Sequence, residues 1–180
     1  MRNLLKIVVI LGIFCMPLFS NAQKAIKLGH INSNDLLKIM QKGNHCSESI
    51  SEVQNVKGFG DLVELMFIYK KELGKKHFPP VNFVRKHYLN VKDIANMNNF
   101  FFDEKHLKIK DIWHVILAGD CDCEYTLSEF KSAHIIVRHR SKVGLILGDY
   151  SKANIYLCEG ASCEVISQTT HSHINIFNYE

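Results

Sequence analysis

Proline is scarce in this chain. There are three in 180 residues and the last is Pro80, so every later residue keeps its backbone N–H and can enter an unbroken hydrogen-bonded ladder. Beyond residue 22 there is no long apolar run, which argues against a second membrane-spanning segment. Charge of one sign is also missing: Lys and Arg number 22 against 18 Asp and Glu. The densest basic cluster, Lys70, Lys71, Lys75 and Lys76, has the spacing of a solvated helix face, and no nucleic-acid partner is expected. Neither a Gly-x-Ser-x-Gly elbow nor a glycine-rich phosphate loop occurs. Glu124 and Glu129 are separated by a turn and offer no paired-carboxylate geometry. No catalytic residue and no cofactor is therefore expected.

What is present begins with MRNLLKIVVILGIFCMPLFSNAQ. Arg2 and Lys6 precede an apolar core from Leu4 to Leu18, and Ser20 and Ala22 are small residues two apart, the pattern of a secretory signal peptide over residues 1–22. Its removal would leave no stable membrane insertion. A periplasmic or secreted protein is expected, or a cytoplasmic one if the leader does not function. Five of the six cysteines lie beyond it. An oxidising compartment permits disulfides, and Cys158 and Cys163 are the closest candidate pair, although the odd number leaves a thiol over.

Residues 23–110 form a mainly helical N-terminal region. Asn32 and Ser33 precede DLLKIM, which predicts a helix over residues 34–41. QKGNHCSESISEVQNVKGFG has no sustained period and reads as a linker. Asp61 and Glu64 have capping-box spacing ahead of Leu62, Leu65, Met66, Tyr69 and Leu73, with Gly74 as the stop. After Pro79 and Pro80, a second helix is expected to about Asn90. NMNNFFF then reads as a turn leading into a short apolar strand.

From residue 111 to 180 the period becomes two, within a longer interval of ten. One column runs Trp113, Cys123, Ala133, Val143, Ala153, Cys163, Ile174. A second runs Val115, Tyr125, Ile135, Leu145, Ile155, Val165, Ile176, and a third Leu117, Leu127, Val137, Leu147, Leu157, Ser167, Asn178. One residue is added before His173. Glycine, aspartate and serine fall between the copies, as turns require. A ten-residue unit cannot bury its own apolar face, so the copies must stack. The fold class is thus α+β: helices, then a β-repeat domain. A β-solenoid with parallel strands about 4.8 Å apart fits better than an antiparallel meander, because the turns lack the Asn-Gly and Asp-Gly pairs of tight hairpins.

The residue between the second and third columns should point outward, yet it is Ile116, Ile136, Ile146, Tyr156, Ile166 and Phe177, with Thr126 the exception. Such a ladder is either covered by the helices or forms a partner surface. Ile136, Arg138, His139, Ile146, Tyr156 and Ile166 are the candidate binding residues, for a protein partner. His134, Ile136 and Arg138 share one strand face that could hold an anion. GDCDCEY and HSH carry paired soft-metal ligands, but Cys123 and His173 lie at opposite ends of the array, and no metal site is assigned. His45 and Cys46 are neighbours in sequence, which is not the spatial arrangement of a nucleophile and its base.

Two stretches resemble known groups. KAIKLGHINSNDLLKIMQ, residues 24–41, is similar to the opening of the Skp-like periplasmic chaperones of outer-membrane proteins, whose activity rests on a long coiled-coil hairpin; heptads of that kind do not follow Gly43. FGDLVELMFIYKKEL, LAGDCDCEYTL, IIVRHRS and the decamers resemble uncharacterised bacterial proteins, often associated with mobile elements, that join a helical front to a repetitive β tail. This second resemblance spans residues 59–179 and implies a fold without an activity. The expectation is an exported, non-catalytic binding or structural protein presenting a β-repeat surface. The alternatives are a Skp-like chaperone and a metal-dependent hydrolase.

Overall fold

In the computed structural model, which describes residues 31–179, five helices precede nine strands. The expected signal peptide lies outside the described residues. Helix α1 (Ser33–Lys42) starts where the Asn32 side chain accepts the Asn34 N–H at 3.0 Å, and it ends at Gly43, whose N–H returns to the Ile39 and Met40 carbonyls. Leu36 and Met40, four apart, are its buried stripe.

The stretch expected as a linker instead holds helix α2 (Ser47–Val53), with Ser49 and Val53 buried. Two turns are too short for periodicity to declare itself, and this helix is held from outside: the Cys46 N–H at its start donates to the Glu72 carboxylate at 2.8 Å. Helix α3 (Phe59–Ile68) starts before Asp61, not at it. Asp61 Oδ2 reaches back to the Lys57 and Gly58 N–H groups at 2.8 and 3.0 Å, so Asp61 caps from inside the first turn and Glu64 has no capping part. The chain breaks at Tyr69, and Gly74 lies within helix α4 (Lys70–Lys75) rather than after α3. Its missing side chain admits Cys158; a Cβ there would stand 2.8 Å from the sulfur. Helix α5 (Val81–Met97) continues past Asn90 because Val91 and Ala95 extend its buried face.

The strands are β1 (Phe100–Phe102), β2 (Leu107–Lys110), β3 (His114–Ala118), β4 (Asp122–Leu127), β5 (Ser132–Arg138), β6 (Lys142–Leu147), β7 (Lys152–Cys158), β8 (Ser162–Gln168) and β9 (His173–Tyr179). They form two parallel sheets, β1-β3-β5-β7-β9 and β2-β4-β6-β8. The chain passes from one sheet to the other at every corner, making a β-solenoid of about four turns over residues 100–179. The winding thus starts at Phe100, ahead of the expected boundary at residue 111. The register follows the decamers: Ala133 pairs with Ala153, and Cys123 with Val143.

The added residue is Ile166. Leu145 pairs with Val165 but Ile146 pairs with Ser167, a bulge that absorbs the extra position within β8. Between the sheets the columns make one core, including Tyr125, Leu145, Ile135 and Ile155. The helices make a second core on the outer face of the β1-β3-β5-β7-β9 sheet, over Phe100, Phe102, Ile116, Ile136 and Tyr156. Trp113 departs from its column and is exposed.

Candidate functional site

The structure does not bring the expected ladder together. Successive decamers belong to opposite sheets, so Ile136 and Tyr156 face the helices and are buried, whereas Ile146 and Ile166 lie on the other side of the solenoid. A ten-residue repeat that alternates between sheets presents two half-ladders, one on each outer face, each with a spacing of twenty residues.

Arg138 is also buried. Its guanidinium donates to both oxygens of Glu159 at 2.9 and 3.0 Å and to the Phe78 carbonyl at 2.8 Å, which ties β5, the following coil and the α4–α5 connection together. With its charge balanced by Glu159, it is not an anion site. His139 sits beside it. Its Nδ1 accepts the Gly119 N–H at 2.9 Å, so a proton resides on Nε2, which approaches Glu159 at 3.2 Å without hydrogen-bond alignment. Burial, reinforced by Arg138, Arg85 and His77, pushes its pKa down to about 3.

The candidate disulfide is not formed: Cys158 and Cys163 are both free. Cys158 ends β7 on the helix side, against Gly74, while Cys163 packs into the inter-sheet core. Alternation along the strands points the two sulfurs into different compartments. Cys121 is buried at a corner with its thiol donating to the Ala118 and Phe101 carbonyls, and Cys123 is in the core. His171 and His173 are exposed, far along the array from either. Among the described residues no three His, Cys, Asp or Glu side chains converge to hold an ion.

His45 and Cys46 do meet at a third group, Glu72. The Cys46 thiol donates to Glu72 at 2.8 Å, Ser49 Oγ donates to it at 3.0 Å, and His45 Nδ1 lies 3.2 Å away. Burial raises the Glu72 pKa, but the bonds from Cys46 and Ser49 outweigh it and hold it low. The Cys46 thiol is directed at a carboxylate and not at an imidazole nitrogen, which is not the arrangement of a nucleophile and its base. This cluster fastens α2 to α4.

The surface that stands out is the last coil. Positions that are sealed in earlier coils are open here: Leu145 and Ile155 are 0% exposed, whereas their successors Val165 and Ile176 are 42% and 51% exposed. Ile166 and Phe177 are exposed beside them. Both β8 and β9 are sheet edges at the same end of the solenoid, each seven residues long. Glu164 is the one residue of Asp, Glu, Lys or Arg in the two strands, and neither contains proline. The usual protections of an edge are therefore thin: one bulge in β8 and one charge.

Side-chain ladders run up to this end and stop. Tyr156 stacks on Phe177 at 5.1 Å between ring centres, and Asn175 donates to Asn154 at 2.9 Å. Along one corner Phe130, Tyr150 and His171 stack at 5.2 and 4.7 Å. This corner stack was missed in the sequence, although the twenty-residue spacing of Phe130 and Tyr150 was there to be read once the winding was known. No protein-family model, no curated protein and no solved structure matches the chain, so its fold and surfaces carry the functional argument by themselves.

Proposed function

We propose that this is an exported, non-catalytic structural and binding module that joins to a second copy of itself through the edges of β8 and β9. One observation carries the reading: the inward positions Val165 and Ile176 are half-exposed where every earlier equivalent is sealed. Burying such a side chain fully contributes about 1.5–3 kcal/mol. The backbone N–H and C=O groups of both strands also seek partners. A second copy meets both needs at once. Because the two sheets end at the same coil, a two-fold axis across that end sets two edges of one copy against two edges of the other. A lone peptide strand would satisfy only one edge. Export is supported by the leader-like residues 1–22 and by nothing in the described fold. The chaperone reading draws no support from the described residues, whose longest helix, α5, has 17 residues.

Sedimentation velocity across a concentration series tests this. A concentration-dependent dimer is expected for the natural chain, and a monomer with unchanged circular dichroism for Ile176→Lys, which places a charge on the open column. A natural chain that stays monomeric at every concentration overturns the reading.

A further inference from the structure

A second surface, distant in kind from the strand edges, has the makings of a ligand site. Between α3, the end of α5 and the first coils lies a cleft of about 900 Å³, within the range of small-molecule sites. Trp113 forms one wall and is 59% exposed, although its column partners Cys123, Ala133, Val143 and Ala153 are all buried. The largest apolar side chain of the chain is thus turned out of a core that its position in the repeat would let it join. Ile68 and Met97, both strongly exposed, continue the apolar surface.

The polar groups of the cleft are largely unengaged. Among the described residues, no hydrogen bond reaches either ring nitrogen of His114, Nε2 of His134, the indole N–H of Trp113, the Asn99 side chain or the Glu64 carboxylate. His134 Nδ1 meets the Tyr156 hydroxyl at 3.1 Å, and Phe67 stacks on His114 at 4.3 Å, so both imidazoles are held in place. Burial, with Lys70 nearby, lowers the pKa of each and keeps both neutral at pH 7. The formal charges are Asp61 and Glu64 against Lys70. Asp61 is partly spent on the Lys57 and Gly58 amides, and Lys70 on the Phe67 carbonyl.

A ligand for this cleft needs one apolar face and a rim of neutral donors and acceptors. Phosphates and acidic groups would face two carboxylates. A pyranose ring meets the requirement: its axial C–H bonds, slightly positive, lie against the negative face of the indole. Its hydroxyls both donate and accept, matching imidazole, amide and carboxylate. We infer that the cleft between Trp113, Glu64, Asn99, His114 and His134 binds a neutral oligosaccharide.

Trp113 is the chain's single tryptophan, so its fluorescence reports the site directly. Chitohexaose, cellohexaose and maltohexaose would be titrated into the full-length protein, alongside an array of neutral glycans. A saturable change in emission with at least one of them is expected. By calorimetry that sugar should bind about tenfold or more weakly to Trp113→Ala. Glu64→Ala should bind several-fold more weakly while keeping the indole signal. Both positions are exposed, so unchanged circular dichroism and thermal midpoint are expected in each variant. Absence of binding to every neutral glycan, equal affinity in Trp113→Ala, or binding of tetramethylammonium in place of sugar would each overturn the inference.

Discussion

His139 is neutral in the fold, with Nδ1 accepting a backbone N–H and Arg138 alongside. Its pKa is lowered from 6.5 to about 3. The unfolded chain takes up a proton near pH 6.5 and the folded one does not, so this contribution to stability is complete above pH 6.5 and is lost as pH falls from there toward 3. His45, His87, His114 and His134 are lowered as well, each chiefly by burial, and act in the same direction. Urea unfolding at pH 7.5, 6 and 5 should therefore show falling stability, with His139 contributing up to about 1.4 kcal/mol per pH unit. His139→Asn, which keeps an acceptor and tolerates the positive φ of 61°, should flatten the slope. The cysteines give a second expectation at this scale. Burial pushes the Cys123 pKa up to about 12 and those of Cys158 and Cys163 up to about 11, while Cys46 is exposed. Iodoacetamide at pH 8 should modify Cys46 first in the native protein, and mass mapping should find Cys121, Cys123 and Cys158, the three buried thiols, labelled only after denaturation.

The elements that matter most are the corners, because each must turn the chain from one sheet to the other within a few residues. Phe130 and Tyr150 adopt left-handed φ values of 58° and 53°, which cost bulky side chains of order 1–3 kcal/mol each. Their mutual stacking and that of Tyr150 on His171 offset part of this. Ser151 seals the same corner by donating to the Gly148 carbonyl at 2.7 Å. Gly148 is required by close approach: a Cβ there would lie 2.8 Å from the Glu129 nitrogen and 3.0 Å from the Ser128 carbonyl carbon, both backbone. Gly148→Ala should lower unfolding free energy by about 2 kcal/mol, since neither atom can step aside without moving the preceding corner. In β8 the bulge at Ile166 is an insertion with no residue opposite it in β6, although its side chain lies over Gly144. Deleting Ile166 should restore unbroken pairing with β6 and leave the thermal midpoint equal or higher; a cooperative loss of folding would show that the bulge is needed.

At the scale of the whole fold, the helices close one outer face of the solenoid, and among the described residues no element covers the opposite outer face or the end of the last coil. Arg138 and Glu159 join helical cover and coil across the inner boundary. Removing Glu159 leaves a buried, uncompensated guanidinium, and Glu159→Ala should cost about 3 kcal/mol in urea unfolding. For the export part of the proposal, intact mass of protein from fractionated native cells is the direct check. An envelope species beginning at Gln23 is expected; a cytosolic species retaining Met1 removes that part.

The decamer columns, the turn residues between them and the lack of proline after residue 80 were enough to reach a stacked β-repeat behind a helical front. The reason is physical: inward positions of a solenoid are fixed by a short, rigid period that survives in any single sequence. Helix α1 was legible from Asn32 and its apolar stripe, whereas α2 was not, because its stability comes from Glu72, far away along the chain. Which sheet each decamer joins was equally out of reach. Period ten places Ile136 and Ile146 in one column, and only the winding sends them to opposite faces. In the sequence Arg138 reads as an outer-face residue at the edge of the candidate binding surface, and only tertiary packing brings Glu159 and the Phe78 carbonyl to it. Trp113 looked like core until the first coil turned it outward into the cleft. Local pattern determined the elements and their repeat; the pairing of distant groups, which no local period encodes, decided which surfaces were left open.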